Sequence, residues 1–76
     1  MSEPHHLDAK GLKCPLPVLR ARKAMKDVPD GGILVVEATD PSASADFHAF
    51  CETTGHALVE EAESDGVTTF RLRKSG

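Results

Sequence analysis

The chain has no tryptophan and no tyrosine, and its only aromatic rings besides histidine are Phe47, Phe50 and Phe70. Pockets for large organic cofactors are mostly walled by aromatic and apolar side chains. Seventy-six residues with three phenylalanines offer little material for such a pocket. Two cysteines, Cys14 and Cys51, are too few for a disulfide framework. No apolar run approaches the roughly 20 residues of a membrane span, so no membrane partner is expected. The opening residues Met1 to His6 lack a cationic stretch followed by an apolar one, so no secretory signal is read there. A reducing cytoplasm is the expected setting. No Ser-His-Asp set, phosphate loop or hydrolytic carboxylate pair is visible in the sequence.

The length predicts one domain over residues 1–76 with a thin core, about ten to fifteen substantially buried residues. The net charge of −3 is unevenly spread. Residues 1–26 hold six Lys and Arg against two acids, a balance of +4, and residues 27–76 hold three against ten, a balance of −7. A basic end on an acidic body predicts docking by complementary charge.

Residues 5–10 read as a short first strand, broken by Gly11. Pro15 suits the first position of a helix, where its missing N–H has no partner to lose. The row Cys14, Val18, Ala21, Met25 and Val28 then keeps helical spacing, with Leu19 beside it and Arg20, Lys23 and Lys26 facing away. Pro29-Asp30-Gly31-Gly32 is strong turn chemistry. Ile33-Leu34-Val35-Val36 predicts a central strand covered on at least part of both faces. Thr39-Asp40-Pro41-Ser42 predicts a helix start, with Asp40 at the N-cap and Pro41 after it. Ala43, Phe47, Phe50, Cys51 and Thr54 line one side of that helix, and Gly55 ends it. Residues 57–63 and 67–73 predict two strands joined at Asp65-Gly66. The order is β-α-β-α-β-β, and its economical packing is an α/β two-layer sandwich. A four-stranded mixed sheet carries both helices on one face.

The chemistry concentrates at Gly11-Leu12-Lys13-Cys14-Pro15-Leu16-Pro17. A thiol at a helix start lies beside unpaired N–H groups and the positive end of the helix dipole. Lys13 adds a full charge next to it, so a lowered thiol pKa is expected there. Pro15 and Pro17 temper that expectation, because neither has an N–H to offer. Pro17 also occupies the position that a second cysteine would fill in a dithiol redox motif. The sulfur therefore has no local partner for a disulfide, and suits carrying a group better than cycling with a neighbour. Gly11, Lys13, Pro15 and Pro17 shape and charge its surroundings.

These residues resemble the signature of the TusA/SirA-like family of small sulfur-transfer proteins, whose mark is Cys-Pro-x-Pro after a short strand. The resemblance extends through Lys23, Thr39-Asp40-Pro41, Phe50-Cys51, Gly55-His56 and Arg73-Lys74, roughly residues 7–74. It implies the same β-α-β-α-β-β fold. It implies that Cys14 takes a sulfane sulfur, holds it as a persulfide and passes it on. Donors in such relatives are cysteine desulfurases or rhodanese-like proteins. Acceptors there are sulfur-relay or biosynthetic proteins serving tRNA thiolation, molybdenum-cofactor assembly or sulfur oxidation, and one branch is tied to selenium. The chain departs from the tRNA-thiolation type at Leu16, where an acidic residue is common.

Plainer roles compete at several positions. Arg20, Lys23 and Lys26 fit a solvated helix face as well as a partner-docking surface. Direct nucleic-acid binding is disfavoured by the acidic total and the lack of Trp and Tyr. Cys51 reads as a buried core thiol. A relay through Cys51 or a Cys14–Cys51 disulfide stays open, because sequence does not give their separation. His48, Cys51 and His56 match no closed zinc spacing, so neither metal nor organic cofactor is expected. Asp8 and Asp40 fit turn and cap duties. The alternative from another class is a regulatory or adaptor module that binds protein or nucleic acid through the basic first helix.

Overall fold

The computed structural model describes residues 4–75. Its elements are β1 (His5–Ala9), α1 (Leu16–Met25), β2 (Ile33–Ala38), α2 (Ala43–Thr54), β3 (Ala57–Ser64) and β4 (Val67–Arg73). The sheet order is β1-β2-β4-β3. β1 and β2 are parallel, and β4 runs antiparallel to both β2 and β3. The predicted order and mixed sheet are those of the structure.

Register explains the core. Leu7 and Ala9 pair with Val36 and Ala38, which pair in turn with Phe70 and Thr68. Side chains directly across a ladder share a face. Ala9, Leu34, Val36, Ala38, Phe70 and Leu72 accordingly form the inner face, packed with Ala21, Met25, Val28, Ala43, Phe47 and Phe50 of the helical layer. Phe47 is the centrepiece. It lies 4.6 Å from Phe70 and makes an edge contact with Phe50, ring centroids 6.4 Å apart.

Both helices cover one face, yet Val35 on the other face is only 5% exposed. Its ladder neighbours on that face are His6 and Arg71. The expected cover on two faces is thus met at Val35 by elements other than the helices.

Each helix begins later than the sequence predicts. Pro15 is the N-cap of α1 rather than its first residue, and Pro17 holds the second helical position, buried. The buried row is Pro17, Ala21 and Met25; Cys14 lies outside the helix, exposed. For α2, Ser42 is the N-cap in place of Asp40. Asp40 still closes the turn: its Oδ1 accepts the Ser42 N–H at 2.9 Å and the Ser42 hydroxyl at 3.1 Å. Thr54, expected on the apolar side of α2, is exposed and bonds its hydroxyl back to the Phe50 carbonyl at 2.7 Å. Gly55 caps the helix in the left-handed conformation, its N–H on the Cys51 carbonyl.

Gly32 is fixed by space. A Cβ there would stand 2.9 Å from both the Pro29 carbonyl oxygen and Val28 Cγ1, so no larger residue fits this turn. A bulge between Leu58 and Glu60 shifts the β3 register. Beyond it Glu61 pairs with Phe70 and takes the helix side, where it accepts the Ser44 hydroxyl at 2.7 Å and meets His48 Nε2 at 3.1 Å.

Candidate sulfur-carrying site

The strands β1 and β2 run parallel and adjacent, so the loops that leave them emerge at the same edge of the sheet. Residues 10–15 follow β1 and residues 39–42 follow β2. Hydrogen bonds join the two loops. The Gly11 N–H donates to Thr39 Oγ1 at 3.0 Å, and the Cys14 N–H donates to Asp40 Oδ2. Asp40 therefore serves both loops at once, with one oxygen on Ser42 and the other on Cys14. The Ser42 and Cys14 N–H groups, in that order, hold its carboxyl below the usual range, and Lys13 adds a favourable charge. Gly11 has φ +82°, a left-handed turn that other residues strain to adopt, and open space where a Cβ would be. Its role is backbone direction, aiming the chain from Ala9 toward Cys14.

Cys14 is a free, exposed thiol at the rim of an open depression of about 350 Å³ between residues 11–14 and 39–41. Lys13 lines the same depression. Pro15 and Pro17 follow on the helix side, and the Cys14–Pro15 peptide is cis. Leu16 and Leu19, 43% and 51% exposed, lie on α1 close in sequence to the thiol. Arg20 and Lys23 on α1 and Lys26 at its C-cap are exposed, with no ion-pair partner among the described residues. Arg22 instead lies over the Phe50 ring, 5.7 Å from its centre. Lys10 is engaged with Asp8 at 3.9 Å and Glu37 at 3.7 Å.

The electrostatics around the thiol reverse the expectation. The Leu16 N–H, the first available after the cysteine, is taken by the Lys13 carbonyl at 2.8 Å. The nearby groups that act on the sulfur are carboxylates. The Asp46 carboxylate of α2 is the largest influence, followed by partial desolvation and by the charge of Asp40. All of them push the Cys14 thiol above its ordinary pKa. Helix-start activation fails because the sulfur sits two residues ahead of α1, where the Leu16 N–H is already taken.

Asp46 is the residue that sequence reasoning missed. A signal for it exists: positions 43, 46, 47, 50 and 51 are one helical stripe, and Asp46 is the only acid on it. Cys51 is buried and free, and desolvation raises its pKa. His56 precedes β3, packs on Phe50 with ring centroids 5.6 Å apart and accepts the Ser75 N–H at 3.0 Å. Among the described residues no group of three or more His, Cys, Asp or Glu is arranged to hold a metal ion. Nor is any described helix long and apolar enough to cross a membrane.

The model of the family Sulfurtransferase TusA matches residues 5–74. The chain belongs to the TusA family. It is 56% identical over 63 residues to a putative sulfur carrier protein of Neisseria meningitidis, covering 83% of this chain and 85% of that one. It is 48% identical over 69 residues to the sulfur carrier protein TusA of Allochromatium vinosum, covering 91% of each. A SirA-like protein from Desulfitobacterium hafniense has a solved structure that superposes with a TM-score of 0.81 at 26% identity, covering 97% of this chain and all of that one. The TusA fold and the resemblance read from Cys14 to Pro17 thus agree.

Proposed function

We propose that this TusA-family chain is a sulfur carrier that acts as a single domain in the cytoplasm, with Cys14 as its one reacting residue. The observation that carries the reading is the contrast in access between its thiols: Cys14 is exposed on a braced loop, and Cys51 is buried. The Cys14 sulfur attacks the terminal sulfur of a donor persulfide, the same exchange chemistry as disulfide interchange. The donor is a cysteine desulfurase or a rhodanese-like protein, and the acceptor is a sulfur-relay or biosynthetic protein. Transfer is from protein to protein, which fits the open form of the depression beside Cys14. Exposed Leu16 and Leu19 beside unpaired Arg20, Lys23 and Lys26 support a docking surface with an apolar centre and a cationic rim. Tests of tRNA thiolation, molybdenum-cofactor assembly and sulfur oxidation follow from which acceptor takes the sulfur.

Intact-protein mass spectrometry after incubation with a cysteine desulfurase and cysteine tests the reading. A DTT-reversible gain of about 32 Da, one sulfur on a thiol, is expected in wild type and Cys51→Ser and absent in Cys14→Ser. Gain retained in Cys14→Ser would overturn it.

A further inference from the structure

Three stretches of chain far apart in sequence bring basic side chains to one place. Arg22 in the last turn of α1, Lys26 at its C-cap, His56 ahead of β3 and Lys74 after β4 line a depression of about 230 Å³ together with Met25. Lys74 and His56 are half-buried there, and Met25 is buried. No carboxylate lines the depression, and none of the four basic side chains has an ion-pair partner among the described residues. Like charges gathered without a counter-charge repel one another, so a bound anion would relieve them. The ten residues of α1 separate this depression from the Cys14 loop, about 15 Å of helix.

Three of the four are held by contacts that leave donors to spare. The Arg22 guanidinium lies over the Phe50 ring, 5.7 Å from its centre, a contact that consumes none of its five N–H donors. Lys74 Nζ donates to the Val28 carbonyl at 2.9 Å, which takes one of its three ammonium hydrogens. His56 packs on the same Phe50, and its Nδ1 accepts the Ser75 N–H at 3.0 Å. A neutral imidazole that accepts at Nδ1 carries its proton on Nε2, so the ring keeps a donor. Cations are favourable at a helix C-terminus, and that accounts for part of the charge here. It does not use the spare donors: the Lys23, Ala24 and Met25 carbonyls are already taken by the N–H groups of Lys26, Asp27 and Val28.

We propose that this depression is a binding site for a single tetrahedral oxyanion of the phosphate or sulfate class. Guanidinium, ammonium and imidazole N–H groups are the donors that suit such an anion, and its several oxygens let them share it. Arg22 and Lys74 supply charge-assisted hydrogen bonds, His56 adds a neutral donor, and exposed Lys26 adds charge. The volume falls below the roughly 300–1,000 Å³ of sites for drug-sized ligands. The site therefore takes one anionic group, either a free ion or the end of a small molecule whose remainder stays in solvent. This binding goes beyond the carrier reading and does not depend on it.

The test is an NMR titration of the isotope-labelled full chain with inorganic phosphate, inorganic sulfate and glycerol phosphate, at fixed pH and with ionic strength held constant by chloride. The backbone amides of Met25, Lys26, His56, Lys74 and Ser75 should shift and saturate. Lys74→Gln and Arg22→Gln, checked for folding by circular dichroism, should each weaken phosphate binding by roughly tenfold, the loss of one charge-assisted hydrogen bond. Lys74→Arg should retain most of the affinity. The two phosphates distinguish the sources: tighter binding of the ester marks an anion carried on a molecule, and equal or weaker binding marks the free ion. Shifts that rise without saturating, acetate binding as tightly as phosphate, or wild-type affinity in both folded glutamine variants would each overturn the proposal. No sulfur donor enters the measurement. Its failure leaves the carrier reading standing, and failed persulfide loading leaves the anion site standing.

Discussion

Cys14 and Cys51 are the same residue in two environments, and both thiols are raised above their ordinary pKa. For Cys51 the cause is desolvation by burial among the core residues of α2. For Cys14 it is chiefly a carboxylate on that same helix, with the sulfur itself exposed. A thiol restrained by burial is released only by unfolding. A thiol restrained by a carboxylate at the surface is released by anything that alters that carboxylate. The difference teaches that access, more than acidity, separates the proposed carrier thiol from the buried one.

Cys14→Ser breaks the comparison most completely. Loading should fall to zero by mass spectrometry, while urea unfolding moves by no more than about 0.5 kcal/mol, as at other exposed sites. Phe47→Ala attacks the other side. Removing the ring between Phe50 and Phe70 should cost about 3–5 kcal/mol by urea unfolding, a large share of what a chain this small holds. Reversing Arg20, Lys23 and Lys26 to Glu sharpens the docking half. Loading by a protein donor should slow by roughly tenfold or more at low salt, and alkylation of Cys14 by a neutral reagent should barely change. A result with both rates equally affected would place the cations at the thiol and not at the partner.

Cys51→Ala is the smallest effect and a test of sign. The folded Cys51 pKa lies above the ordinary 9.0, so the folded state holds its proton more tightly than the unfolded chain. Its stabilising share is fully present below pH 9.0 and is lost as pH rises through the folded value. Wild type should therefore lose stability above that pH more steeply than Cys51→Ala, measured by urea unfolding at a series of alkaline pH values. Parallel slopes would contradict the burial account.

Local signals fixed much of this architecture because they act within a few residues. Asp65-Gly66 marked the hairpin, Gly55 marked the end of α2, and Ile33 to Val36 marked the central strand. The Cys-Pro-x-Pro run located the thiol. Its electrostatic setting was not legible, because Asp46 is thirty-two positions away in the sequence and acts only once α2 packs beside the loop. Asp40 was read as a cap, and half of that is correct. Its second bond, to the Cys14 N–H, depends on two parallel strands ending side by side. The α1 boundary slipped for a related reason. The Lys13 carbonyl takes the Leu16 N–H in a turn, which local propensity does not distinguish from a first helical residue.

The bulge in β3 has a consequence for life in a crowded solution. β3 is an edge strand, and an edge with free N–H and C=O groups invites a second chain to add itself. Here the bulge at Val59 interrupts the regular repeat that such a guest would follow, and Glu60, Glu61 and Glu63 give two copies the same charge along that margin. On the proposed reading, in which partners meet the loop beside Cys14, the β3 margin is a poor template for a second copy of the chain.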